Sequence, residues 1–320
     1  MSFTKTRNYY KPFDYPWAYE AYKKQNEQHW SPVEVVLADD IRDFNLELTP
    51  DERNLLVNIF KFFTQSDVDV AGAYATHYLP LFKAPEVRMM LSSFANIEAV
   101  HQDAYSLLLE TLGLEEDTYK LFFDIKEMFD KHEYMMSFGT KTIKDQLHTL
   151  AVFSGMIEGV QLFSSFAILL NFARFSLMKG MCEIVTWSIR DESLHVESMS
   201  HLFKQYAKEN IRHFDDDLKC RIYFSAEKIV ELEEKFIDVV FGNCIIRDLD
   251  KKDVKTYVRY IADRRLLGLG LKPIFKQKTN PLGWLDYILS GIEFANFFES
   301  KPTEYTKFAM TGSWYKDVFK

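Results

Sequence analysis

Residues 94–105 read FANIEAVHQDAY and residues 187–198 read WSIRDESLHVES, and both carry one spacing: Glu98 with His101, and Glu192 with His195. Positions i and i+3 share a helix face, so each Glu-x-x-His presents a carboxylate and an imidazole to a common point. A single copy is more often a solvated surface pair. Two copies on separate amphipathic stretches point instead to a shared interior site and to an all-α bundle.

The chain between them supports this. From Asp145 to Arg174 the only carboxylate or strong base between the ends is Glu158, in VFSGMIEGVQLF (152–163). The stretch is long enough to cross a membrane, which takes about 20 apolar residues. It also holds Gln146, His148, Gln161, Ser164, Ser165 and Asn171, so a helix buried on all sides of a bundle is expected, with no membrane. An isolated buried carboxylate costs several kcal/mol unless paired or metal-bound. An ion pair from another helix is the plainer alternative for Glu158.

A further carboxylate is expected on the first long helix. Phe63, Phe60 and Leu56 precede Asp67 at helical spacing and form an apolar stripe, so Asp67 faces inward. Asp69, two residues on, is turned away and is expected in solvent. The set is then Asp67, Glu98, His101, Glu158, Glu192 and His195. Four-helix bundles hold two metal ions with such a set, one carboxylate from each of two helices and Glu-x-x-His from the other two. Oxygen-rich ligation with one imidazole per metal suits iron or manganese, and the lack of thiolates argues against zinc. Tyr105, one turn after His101 on the same face, lies beside the metals.

The wider sequence fits an all-α protein. The 320 residues contain only 12 Gly and 9 Pro, which leaves too few turn formers for an all-β fold. Hydrophobic residues make up 47%, enough for a large core. A net charge of -8 excludes the basic footprint of a nucleic-acid or anionic-membrane binder. Cys182, Cys220 and Cys244 are odd in number and widely spaced, and suggest no disulfide framework. The N-terminus MSFTKTRNYYKPFDYPW lacks the apolar run of a signal peptide, so a cytoplasmic location is expected.

Thr49-Pro50-Asp51-Glu52 combines an N-cap, a Pro at the first helical position and a capping-box Glu, and opens a helix to about Tyr78. Further helices are expected from Pro85 to about Leu112, over 115–138, 142–175, 177–209, 214–242, 252–267 and 283–299. Together they make one domain over 1–299, with an aromatic-rich N-terminal arm over about 1–48 outside the bundle. Residues 300–320 are expected to form a flexible C-terminal tail.

With these motifs assembled, the chain resembles the small, radical-generating subunit of class I ribonucleotide reductase, from HWSPVEV (29–35) to the tail. FANIEAVHQDAY resembles the family's Glu-x-x-His-x-x-x-Tyr motif and RDESLH its second ligand motif. Asp67 and Glu158 fall where the other two ligands are expected. The resemblance implies a ferritin-like bundle whose metal pair activates oxygen and oxidises a tyrosine, the hole then passing to a cysteine of the large catalytic subunit. It implies that Tyr105 is the radical tyrosine, that Trp30 is the tryptophan near the metals and that Asp191 is the acid linking it to His101. It implies that Tyr305 transfers the hole at the subunit interface. It also implies a homodimer. The favoured metals are two irons per chain. Manganese–iron and dimanganese pairs stay open, and with manganese variants a flavodoxin-like activator is a further expected partner. Leu162 and Phe166 suit an apolar radical pocket, whereas Ser188, one turn before Glu192, would bring a hydroxyl to it.

A ferritin-like iron store would use the same metal helices, but needs about half this length and has no use for Trp30, Tyr105 or an aromatic tail. A diiron oxygenase would need a substrate cavity and no tail tyrosine.

Overall fold

The computed structural model describes residues 2–120 and 124–290, and no strand occurs among them. Contacts divide the chain into one unit ending at Pro281 and a second beginning at Leu282.

The first unit is a stack of helices: α1 (Pro16–Glu27), α2 (Ala38–Arg42), α3 (Pro50–Ala73), α4 (Leu79–Leu81), α5 (Pro85–Thr111), α6 (Lys126–Met136), α7 (Ile143–Thr149), α8 (Leu162–Leu170), α9 (Lys179–Glu209), α10 (Asp216–Phe241) and α11 (Lys251–Gly268). Within the second unit, residues 283–290 are helical. The expected tail lies outside the described residues.

The start of α3 forms as its sequence requires. Thr49 Oγ1 accepts from the Glu52 amide at 3.2 Å, and the Glu52 carboxylate accepts from the Thr49 amide at 2.9 Å. Arg247 also grips Glu52, tying the loop after α10 to this cap. Gly113, at φ +73°, takes the left-handed turn that stops α5. At α9 the capping acid comes from elsewhere: Asp40 on α2 accepts the amides of Gly180 at 2.9 Å and Met181 at 2.8 Å. A Cβ on Gly180 would lie 2.7 Å from the Val36 carbonyl, so only glycine permits that approach.

The most apolar 18-residue part of the stretch Ile143–Phe175 is buried, while its two ends reach the surface. It is a core helix, though not a uniform one. Between α7 and α8, residues Leu150–Gln161 are wound as a π-helix. A second π turn, Tyr74–Tyr78, extends α3. Such windings are rare and concentrate at functional sites.

Three expectations need correction. Residues 115–138 are not one helix, since a 3₁₀ turn at Glu116–Tyr119 precedes α6. The N-terminal residues do not all stand apart, because α1 packs along α5 and α9. Nor is Asp69 in solvent: Gln65 donates to it at 2.8 Å and His132 on α6 contacts it at 2.7 Å, so α6 covers this face of α3.

α3 lies against α5, α5 against α9, and α9 against the π segment, with α10 and α11 packed behind that segment. These neighbours bring the four expected carboxylate-bearing stretches into one core.

Candidate metal centre

Each Glu-x-x-His folds onto itself. Glu98 Oε2 lies 3.4 Å from His101 Nδ1 on α5, and Glu192 Oε2 lies 3.3 Å from His195 Nδ1 on α9. The motifs also cross. Glu98 Oε1 lies 3.0 Å from His195 Nδ1, and Glu192 Oε1 lies 3.4 Å from His101 Nδ1. Each carboxylate thus turns one oxygen toward each imidazole, the disposition of a group shared by two cations.

Glu158 enters from the π segment. Donor atoms of Glu98, His101 and Glu192 lie within 4.8 Å of one another, as do those of Glu158, Glu192 and His195. Asp67 is buried on the core-facing stripe of α3, as expected, but belongs to neither triad.

The chemistry of these atoms tests whether cations fit. Both oxygens of Glu98, both of Glu192, one each of Glu158 and Asp67, and Nδ1 of His195 are buried without a hydrogen-bond partner. Buried polar atoms are normally satisfied, and a cluster left unsatisfied calls for an ion. Four carboxylates balance the charge of two divalent cations. The residues therefore fit a dinuclear centre, and no thiol lies among them.

Electrostatics agree. Burial pushes Asp67 and Glu158 well above the usual carboxylate range, with Glu192 and Glu98 adding to the effect. Burial alone would lower both histidines, but Asp191, Glu192 and Glu98 raise His101, and Glu192 and Glu98 raise His195. Against the upward push of burial, the two imidazoles hold Glu192 low. Protons here occupy a place that cations can take.

Behind the imidazoles lies a second layer of polar groups. Asp191 Oδ2 accepts from Trp30 Nε1 at 2.8 Å and faces His101 Nε2 at 3.2 Å. Its other oxygen accepts from Gln25 at 3.1 Å and Gln28 at 2.9 Å. The Gln25 carbonyl oxygen lies 3.2 Å from His195 Nε2. Both histidines thus have Nε2 anchored and Nδ1 turned to the centre, which fixes ring orientation. Trp30 also packs on Trp187, with ring centroids 5.0 Å apart.

Tyr105 is buried, with its hydroxyl 3.5 Å from Ser188 Oγ, a long and weak contact. Its ring stacks on Phe63 at 4.5 Å, and Phe63 stacks on Phe166 at 5.3 Å. Burial, with Asp67 nearby, raises its pKa, so the phenol stays protonated. Tyr305 lies outside the described residues.

Sequence reasoning missed Gln25, Gln28 and Tyr74. Tyr74, in the short π turn, donates to Glu158 Oε2 at 3.3 Å. The glutamines sit in KKQNEQHW (23–30), where no apolar period marks them.

Comparison with known proteins gives the family and the fold. Residues 7–281 match the family described as ribonucleotide reductase, small chain. A probable ribonucleoside-diphosphate reductase small subunit of Invertebrate iridescent virus 6 is 45% identical, over 98% of each chain. The ribonucleoside-diphosphate reductase subunit beta of Chlamydia pneumoniae is 29% identical over 92% of this chain and 88% of its own. Among solved structures, a ribonucleotide reductase subunit from Clostridium botulinum superposes with a TM-score of 0.79 at 24% identity, covering 85% of this chain and 88% of that one. That likeness shows the ferritin-like fold. Profile and sequence relatives together place the chain in the ribonucleotide reductase small-chain family.

Proposed function

We propose that Asp67, Glu98, His101, Glu158, Glu192 and His195 hold two metal ions, with Glu98 and Glu192 shared between them. The observation that carries this reading is the crossing of the two motifs, each carboxylate facing both imidazoles while its oxygens lack hydrogen bonds. As a small subunit of ribonucleoside-diphosphate reductase, the protein supplies the radical with which the large subunit reduces ribonucleotides. The metal pair, when bound, supplies oxygen-activating redox chemistry.

The chain's own residues do the rest. Tyr105 keeps its proton on the phenol oxygen in a pocket walled by Phe63, and gives up a proton and an electron together when oxidised. Stacked apolar rings keep water away from it. Ser188 offers a weak hydrogen-bonding neighbour, which bears on how long a radical persists there. Trp30, Asp191 and His101 form one hydrogen-bonded line from the centre to the α1 side, the route we assign to the hole. Tyr305 receives it at the interface with the large subunit.

Iron and manganese suit the donor set alike. We favour a diiron loading, in a cytoplasmic homodimer. A manganese loading would bring in a flavodoxin-like activator. Metal analysis with an electron paramagnetic resonance spectrum of the active protein tests the assignment. A tyrosyl signal with two irons per chain supports it, and a store of many irons per chain would overturn it.

A further inference from the structure

The π winding that carries Glu158 is braced from behind by α11. Where a π-helix, bonded i→i+5, returns to α geometry, bonded i→i+4, one carbonyl is passed over by the backbone N–H groups. In the last turn of Leu150–Gln161, Arg265 Nε donates to the Gly159 carbonyl at 2.9 Å. Its guanidinium lies over the Phe163 ring, 4.5 Å from the centroid, and no carboxylate pairs with it among the described residues. An arginine without an acid, placed against a main-chain oxygen and a ring, is a backbone clamp.

The π segment is shaped to admit it. Gly155 and Gly159 lie toward α11, where a Cβ at 155 would meet Leu269 at 3.1 Å and one at 159 would meet Arg265 Nε at 2.7 Å. Glu158 adjoins the clamped carbonyl, and Tyr74 holds its Oε2 from the other side. We infer that Arg265 is a positioning residue for the metal centre: by holding the Gly159 carbonyl it fixes the π register, and the register aims Glu158 at Glu192 and His195.

This rests on the reading of Glu158 as a ligand, and the test separates the two. Metal-free full-length protein is titrated with Mn(II), with free Mn(II) followed by electron paramagnetic resonance and melting temperature recorded for every variant. Glu158→Ala should lose at least one of two sites. Arg265→Leu should weaken one site at least tenfold, in line with the effect of groups that orient ligands, and change the other less than threefold. Gly159→Ala displaces the arginine from the opposite side and should show the same loss, which keeps the test decisive if Arg265→Leu fails to fold. Arg265→Lys, which retains a donor, should recover much of the affinity, and Arg264→Leu on the exposed side of α11 should bind as the parent does. Adding Arg265→Leu to Glu158→Ala should weaken binding no further. Parental affinity in both Arg265→Leu and Gly159→Ala, or an equal loss at both sites, would overturn the clamp alone. Two fully occupied sites in Glu158→Ala would overturn the ligand assignment instead.

Discussion

Glu98 Oε1 lies 3.0 Å from His195 Nδ1, so the carboxylate of one Glu-x-x-His faces the imidazole of the other. The two helices therefore contribute to one site, and neither motif is complete alone. This contact joins α5 to α9 across the core and gives each expected cation a share in both helices.

Gln25 is the least obvious support of that site, since it holds Asp191 with its amide and faces His195 Nε2 with its carbonyl oxygen. Gln25→Leu should lower metal affinity about 10–100-fold while the helical content stays unchanged. Isothermal titration of the metal-free protein with Fe(II) under argon checks this, and an unchanged affinity would show that His195 needs no such anchor.

Tyr105→Phe removes no expected ligand, so the variant should bind both metals and consume oxygen as the parent does. Its electron paramagnetic resonance spectrum should lack a tyrosyl signal, and ribonucleotide reduction should fall at least a hundredfold. Full activity would mean that the metals themselves store the oxidant and that Tyr105 is a core residue of the pocket.

A pH effect follows from His148, on α7 just ahead of the π segment. Burial, aided by the nearby Arg221 charge, lowers its pKa to about 4 from an ordinary 6.5. The folded state therefore binds fewer protons than the unfolded one between these values, so its contribution to stability is full above pH 6.5 and is lost as pH falls toward 4. Replacing the titrating ring with a neutral one removes this slope: His148→Gln should melt with a pH dependence shallower by several °C across that window. Calorimetric melts at several pH values decide it, and an unchanged slope would exclude His148 as the source.

The tail should separate docking from transfer. Residues 312–320 carry Trp314, Tyr315 and Phe319 as aromatic anchors. Their deletion should weaken binding to the large subunit while leaving metal content intact. Tyr305→Phe should bind normally and stop nucleotide reduction. Native turnover by that variant at saturating large subunit would remove Tyr305 from the transfer route.

The legible part of this protein was its periodicity. Spacing placed Glu98 with His101 and Glu192 with His195, and the Leu56–Phe60–Phe63 stripe turned Asp67 inward, because one helix face is a local property of the sequence. Asp69 was misread because its partner His132 arrives on α6, a tertiary contact that no local period encodes. Gln25 and Gln28 were missed for the same reason, their acceptor Asp191 lying on α9. The π winding at Glu158 was illegible because its neighbours Arg265 and Leu269 meet it only in the folded chain, and residues 143–175 read equally well as one plain helix.

The central claim is that two cations share Glu98 and Glu192. Anomalous diffraction from crystals of the metal-loaded protein, collected at the iron and manganese edges, tests it most directly. Two peaks are predicted, one beside Nδ1 of His101 and one beside Nδ1 of His195, with Glu98 and Glu192 between them. A single peak, or metal bound only outside this cluster, would contradict the account.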